Sequence, residues 1–380
     1  MPVRTEAAKG AVEVCLDIFA TTGISIDEFF RICWRRRPLL LRGALEGFTD
    51  PLDADELAGL AMEDEVESRL VRESGGKRPW QVQHGPLPEE ELRTLPPAGW
   101  SLLVQGADRL LPELAELTAA FAFLPRWLFD DVMVSFAPAG ASVGAHVDQY
   151  DVFIVQGSGT RLWRLGAEVP AKPGPVRATG DLRLLADFRP DHEWLLQPGD
   201  ALYIPMGVPH HGITERPGLS YSVGFRPPDR NRLLAFLGHP GQDEADVFFR
   251  EVCHRSLPGE IGAELLAGLR RFTGLSQADT GDGELAAGFA RMVTWRGEEF
   301  FGGDSGGDGL PVAAPGLRRV WYRDDKEVVL VVEGESCRLR GADAVDKAVA
   351  LCRQQELPLS CVSDPGPWLL ARGYYGDPDH

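Results

Sequence analysis

The chain has 380 residues, 44% hydrophobic and 25% charged, and 57 acidic against 39 basic side chains give it a net charge of −18. Such a surface repels phosphate backbones, which excludes a general coat for nucleic acid and favours a basic polypeptide as partner. No run approaches the roughly 20 apolar residues that cross a bilayer; the opening MPVRTEAAKGAVEVCLDIF carries acids and does not read as a signal peptide; and six scattered cysteines (Cys15, Cys33, Cys253, Cys337, Cys352, Cys361) with no CxxC pair suit reduced thiols in a cytoplasm.

In chain order, residues 1–24 read as a flexible tail. Ser25-Ile26-Asp27-Glu28 is a capping box, predicting a helix through Phe29, Phe30 and Trp34 until Pro38. Leu39-Leu40-Leu41 is a short buried strand. Asp53 to Glu56 repeats the capping pattern before a second helix, and a third is expected from Leu111 to Phe123, ended by Pro125. From Asp131 to Arg226 short apolar segments (VMVSFA, HVDQYDVFIVQ, TRLWRL, EWLLQ, ALYIP, LSYSVGF) alternate with Gly/Pro turns, the pattern of an antiparallel barrel or jelly roll. Helical periodicity returns after Pro228, in LLAFL, ELLAGLRRF and ELAAGFARMV. Gly302 to Gly316 is the strongest linker, and beyond it a hairpin around Asp324-Asp325, a helix through Val345, Ala348, Val349 and Cys352, and a wing from Trp368 to Tyr375 are expected. The predicted class is α+β: a catalytic jelly roll with its helical lead over 25–228, a helical region over 229–301, a linker over 302–316 and a winged-helix-like module over 317–380.

Three of the eight histidines fall at informative places. His146-Val147-Asp148 is read at a strand start, where period-two alternation sends His146 and Asp148 to one face. An imidazole and a carboxylate near a barrel mouth supply two ligands of a 2-His-1-carboxylate triad, and His210, in PMGVPH, returns as the third. Alone, HxD is a weak signal that most surfaces could carry. Followed by PGDALYIPMGVPH at barrel-return spacing it points to iron with positions left open for a cosubstrate and O₂. His211 neighbours His210 and is expected to point the other way; His84, His192, His239, His254 and His380 read as surface or structural. Arg161, just past the Gly157-Ser158-Gly159 turn, is placed to grip a distal carboxylate, with Trp163 on its face; without the triad it would be an ordinary strand residue. Tyr150 and Gln149 are candidates for a substrate channel.

The runs Asp130–Phe136, Gly144–Phe153, Gly199–Pro205 and Tyr221–Arg226 together resemble the bacterial JmjC-type (cupin-like) ribosomal oxygenases. The likeness is close over roughly residues 25–230 and looser beyond, where order of elements and Gly373-Tyr374-Tyr375 carry it. It implies an Fe(II)- and 2-oxoglutarate-dependent oxygenase that consumes O₂, releases succinate and CO₂, and hydroxylates an arginine β-carbon on the sixteenth protein of the large ribosomal subunit. By position His146, Asp148 and His210 match the iron ligands, and Arg161 the residue that pairs with the 2-oxoglutarate 5-carboxylate. A helical dimerisation region and a terminal winged helix are implied as well. Two positions depart from the pattern: His211, where an acidic or other polar residue is expected, and Ser220, where asparagine is. A ribosomal-protein histidine hydroxylase and a non-catalytic cupin-like binding module are the alternatives; a histone-type demethylase shares the chemistry but no chromatin-reading module accompanies it. The acidic balance fits docking of a basic ribosomal polypeptide, with no nucleic acid or membrane as partner.

Overall fold

Both capping boxes form. In the computed structural model, which describes residues 18–73, 80–170, 176–179, 182–239, 247–251, 257–295, 312–313, 316–353, 357–361, 363–372 and 374–376, helix α1 (Ile26–Ile32) starts with the Ser25 hydroxyl accepting from the Glu28 amide while the Glu28 carboxylate accepts from Ser25 N. Helix α2 (Ala54–Leu60) starts the same way on Asp53 and Glu56. Most of the expected tail and of the expected linker lies outside the described residues. Helix α1 ends before Trp34, earlier than its pattern suggests. Arg35 adopts φ +54° and aims its guanidinium at Asp151, and this tertiary pairing outweighs another helical turn.

Strand β1 (Leu39–Leu41) precedes α2, and β2 (Ser68–Glu73), β3 (Trp80–His84), α3 (Glu89–Arg93) and β4 (Trp100–Val104) follow it. Helix α4 (Leu114–Ala119) is shorter than expected, because Phe121, Ala122 and Leu124 bond three residues back and tighten its end into turns. The barrel region then supplies β5 (Phe129–Ala137), β6 (Asp151–Gln156), β7 (Thr160–Leu165), β8 (Val176–Thr179), β9 (Leu182–Leu185), β10 (His192–Leu196), β11 (Ala201–Ile204), β12 (His210–Arg216) and β13 (Gly218–Phe225).

One sheet has the order β1-β11-β6-β13-β5-β4-β2-β3, and a smaller one, β10-β7-β12, faces it. Their pairings are antiparallel throughout, as a jelly roll requires. Strand alternation divides the side chains cleanly. Phe153, Val155, Val132 and Val134 join the core shared with the helical lead, while Val152 and Ile154 point between the sheets to meet Trp163, Leu165 and Leu196. The first core includes edge-on aromatic contacts of Phe29 with Tyr203 and Phe123, which weld α1 to the back of the larger sheet.

Beyond the jelly roll come α5 (Arg230–Phe236), β14 (Glu260–Ile261), α6 (Ala263–Thr273) and α7 (Asp282–Thr294), then β15 (Val312–Ala313), β16 (Arg319–Asp324), β17 (Glu327–Val332), β18 (Glu335–Leu339), α8 (Ala344–Arg353), α9 (Gly366–Leu370) and β19 (Tyr375–Gly376). The hairpin turns at Asp325, φ +53°, and β18 adds a third strand that the hairpin reading did not include. Trp368, expected in a wing, sits in α9. The sheet β14-β16-β17-β18 buries both faces. Val320, Tyr322, Val329 and Val331 enter the main core; Trp321, Val328, Leu330 and Val332 enter a second core roofed by α8. Among the described residues no helix is long and apolar enough to cross a membrane.

Candidate metal centre and cosubstrate pocket

His146, Asp148 and His210 converge. One ligand atom from each lies within 4.8 Å of the others. His146 Nε2 is 3.7 Å from Asp148 Oδ1, His210 Nε2 is 3.4 Å from Asp148 Oδ2, and the two rings meet edge-on at 4.3 Å. The local reason differs from the expected one. His146 and Asp148 precede β6 in a loop, so strand alternation does not align them. Two backbone hydrogen bonds, His146 N to His210 O and His210 N to His146 O, each 3.0 Å, pin His146 directly to the start of β12.

The imidazoles are held in one tautomer. His146 Nδ1 lies 2.9 Å from the Gly144 carbonyl and His210 Nδ1 3.0 Å from that of Val208. A carbonyl only accepts, so both Nδ1 atoms carry a proton and both Nε2 atoms turn toward Asp148, the atoms that a metal would take. Burial and the neighbouring His210 push His146 below its usual range; His210 is also disfavoured as a cation by burial, but its bond to Asp148 raises it. Asp148 is penalised by burial, yet His146 and His210 hold its carboxyl down to about 2. Two neutral nitrogens and one carboxylate, converging on one face, form a donor set suited to a divalent first-row metal. Ligand atoms about 2.1 Å from an ion at right angles stand about 3 Å apart, so the observed spacings need little contraction.

Between the sheets, β5 turns Asp131, Met133 and Ser135 to the interior, because Val132 and Val134 face the core. Arg161, on β7, is half-buried, and desolvation lowers its guanidinium to about 10, still cationic at neutral pH. Its hydrogen bond among the described residues is a long one, to Ser135 Oγ at 3.4 Å. Directly across on β12 stands Thr214, whose buried hydroxyl has no partner. Ser220 Oγ, where asparagine was expected, lies 3.2 Å from Ser135 Oγ. A half-buried cation beside an unpartnered hydroxyl is a cradle for a carboxylate. The cradle depends on Gly212: a Cβ there would stand 3.0 Å from the Trp163 ring and 3.1 Å from Arg161 Cδ. Gly212→Val is therefore expected to displace Arg161 and weaken binding of a dicarboxylate at least tenfold, read by isothermal titration with 2-oxoglutarate; unchanged affinity would contradict the cradle.

Tyr150 lies under the Arg226 guanidinium at 4.9 Å, and burial, then Asp148 and Asp131, push its phenol up. Asp131 accepts from Gln105 Nε2 and Gly106 N, and burial, then Asp130 and Asp108, raise its carboxyl. Among the described residues Asp131, Ser135 and Thr214 were not singled out as site residues in the sequence. The alternation Asp131-x-Met133-x-Ser135 was the available signal. Of the other histidines, His239 bonds Thr280 and His192 stacks on Trp194; His254 and His380 lie outside the described residues. His211 points away from the triad, onto Ser142 Oγ at 2.8 Å.

Residues 116–233 match the family model of the JmjC domain. The chain is 44% identical over 211 residues to the Escherichia coli ribosomal protein uL16 3-hydroxylase, covering 55% of this chain and 54% of that protein. A probable ribosomal oxygenase of Haemophilus influenzae is 37% identical over 233 residues, covering 60% and 55%. The solved structure of the Escherichia coli ribosomal oxygenase YcfD in complex with cobalt and 2-oxoglutarate superposes with a TM-score of 0.69 at 30% identity, over 93% of this chain and 98% of that one. The chain belongs to the JmjC-type ribosomal oxygenases. In sequence it spans about half the length of the curated relatives it matches; in structure it shares nearly the whole of YcfD's fold.

Proposed function

We propose that this ribosomal oxygenase is an Fe(II)- and 2-oxoglutarate-dependent hydroxylase whose substrate is a basic protein of the large ribosomal subunit, modified at an arginine β-carbon. The observation that carries the reading is the converging triad of His146, Asp148 and His210 in a jelly roll whose half-buried Arg161 has no carboxylate partner among the described residues. Bound iron and 2-oxoglutarate would supply O₂ activation coupled to decarboxylation, with succinate and CO₂ as products. The chain supplies the rest. His146 and His210 present Nε2, Asp148 the charge, and Arg161 with Thr214 and Ser135 the anchor for the distal carboxylate.

A substrate arginine is favoured over histidine by Asp131. Its carboxylate sits on the interior face near Tyr150, where a guanidinium would lower its raised pKa and stack on the phenol. Asp131 and Tyr150 would thus orient the side chain, and the acidic surface would gather the basic polypeptide. The reading also takes the protein as a homodimer joined through the helical region 229–301, supported by the exposed Val247, Leu257 and Trp295, as carrying a winged-helix-like module over 317–380, and as working in the cytoplasm without direct contact to nucleic acid.

The test is mass spectrometry of ribosomal proteins incubated with the enzyme, iron, 2-oxoglutarate and ascorbate. One arginine should gain the mass of one oxygen atom. An oxidised histidine would favour the histidine hydroxylase; absence of turnover would favour a binding module. Arg161→Met should raise the KM for 2-oxoglutarate about 10- to 100-fold, the worth of a charged hydrogen-bonded pair, while leaving Co(II) affinity within twofold. Equal losses in both would contradict the division of labour.

A further inference from the structure

His146 is the less enclosed of the two imidazoles, its side chain 24% exposed against 3% for His210. Its ring is oriented by one carbonyl, that of Gly144. Gly144 adopts φ +86° and has no side chain to hold it. On its N-terminal side Gly144 is held by Ser142, whose hydroxyl accepts from Gly144 N at 2.9 Å and so anchors the turn that carries the Gly144 carbonyl. That hydroxyl is in turn paired with His211 Nε2 at 2.8 Å. The backbone of this loop is stitched to β12 on either side: Gly140 and Ala141 bond Thr214, and His146 bonds His210. The intervening turn has this one polar side-chain path back to β12. Strand alternation creates it, since His210 points in and His211 points out on consecutive positions of β12.

We propose that His211 is a positioning residue for the metal centre: through Ser142 it anchors the turn at Gly144, whose carbonyl sets the ring of His146. The assignment rests on the iron reading above. It also accounts for a histidine where the family resemblance leads one to expect an acidic or other polar residue. His211 touches neither metal ligand's donor atom; it stands behind the carbonyl that orients a ligand, a layer whose loss costs about 10- to 100-fold in metal affinity, so its own loss is placed at the low end.

The test is Co(II) titration of the full-length protein, followed by its visible absorption. His211→Phe and Ser142→Ala should each weaken Co(II) binding about tenfold, and the double variant should lose no more than either single one, because both cut the same path. His211→Gln, which offers a donor or an acceptor at similar reach, should bind within about twofold of the parent. With Co(II) saturating, 2-oxoglutarate affinity should not move in any of them. Parent-like Co(II) affinity in His211→Phe overturns the assignment, as do additive losses or a glutamine variant as weak as phenylalanine. A parent protein that takes up no Co(II) instead overturns the iron reading, and with it this one.

Discussion

Asp148→Ala is expected to abolish metal uptake and, with it, hydroxylation. The carboxylate lies 3.4 and 3.7 Å from the two facing imidazole nitrogens and is the single anion of the cluster. Losing the outer partner of a ligand costs about 10- to 100-fold in affinity, so losing the ligand and its charge should exceed about 1000-fold. The loop itself should survive, since His146 is held by backbone bonds to His210 that do not involve Asp148. The change is therefore expected to leave the unfolding midpoint of the metal-free protein nearly unmoved. Co(II) titration and succinate release measure the effect; a variant that still binds Co(II) tightly would show that the metal, if any, sits elsewhere.

Asp151→Ala should act through stability instead. Asp151 is 0% exposed and accepts from Arg35 Nε at 2.9 Å, the Tyr203 hydroxyl at 2.8 Å and Met206 N at 3.2 Å. Its removal leaves the Arg35 guanidinium, 8% exposed, as a buried cation with the Phe249 carbonyl as its remaining acceptor among the described residues. Breaking such a pair costs about 3–5 kcal/mol. Asp151 stands three residues after Asp148, and Met206 four before His210, so one carboxylate ties together the two loops that carry the ligands. Urea unfolding should register the loss, and metal affinity should fall alongside it. A stability change under about 1 kcal/mol would mean that Arg35 finds another partner.

The two predictions separate what could be read early from what could not. The capping boxes at Ser25 and Asp53, the strand runs and the His-Asp-His cluster were legible because each leaves a short sequence signal: a side chain reaching its own helix terminus, alternation between turns, or an HxD pair followed by PMGVPH. The reason given for the HxD pair was local as well, and there the structure differs. Asp148 lies in a loop, and the pair is aligned by hydrogen bonds to a strand 64 positions downstream. Helix α1 stopped early for a similar cause, a buried ion pair between residues 116 positions apart.

By itself the sequence determined an α+β chain with a jelly roll, a His-Asp-His cluster and a net charge of −18. Periodicity, turn chemistry and net charge are properties of neighbours or of sums, and they survive without a fold. The tertiary structure alone decided that Ser135 and Thr214 stand beside Arg161, that Gly212 gives Arg161 room, and that His211 reaches Ser142. It also decided that the C-terminal sheet buries both its faces, one of them in the main core. Each of these depends on which strands pair and in what register, and register is set by the packing of the whole sheet against its neighbours.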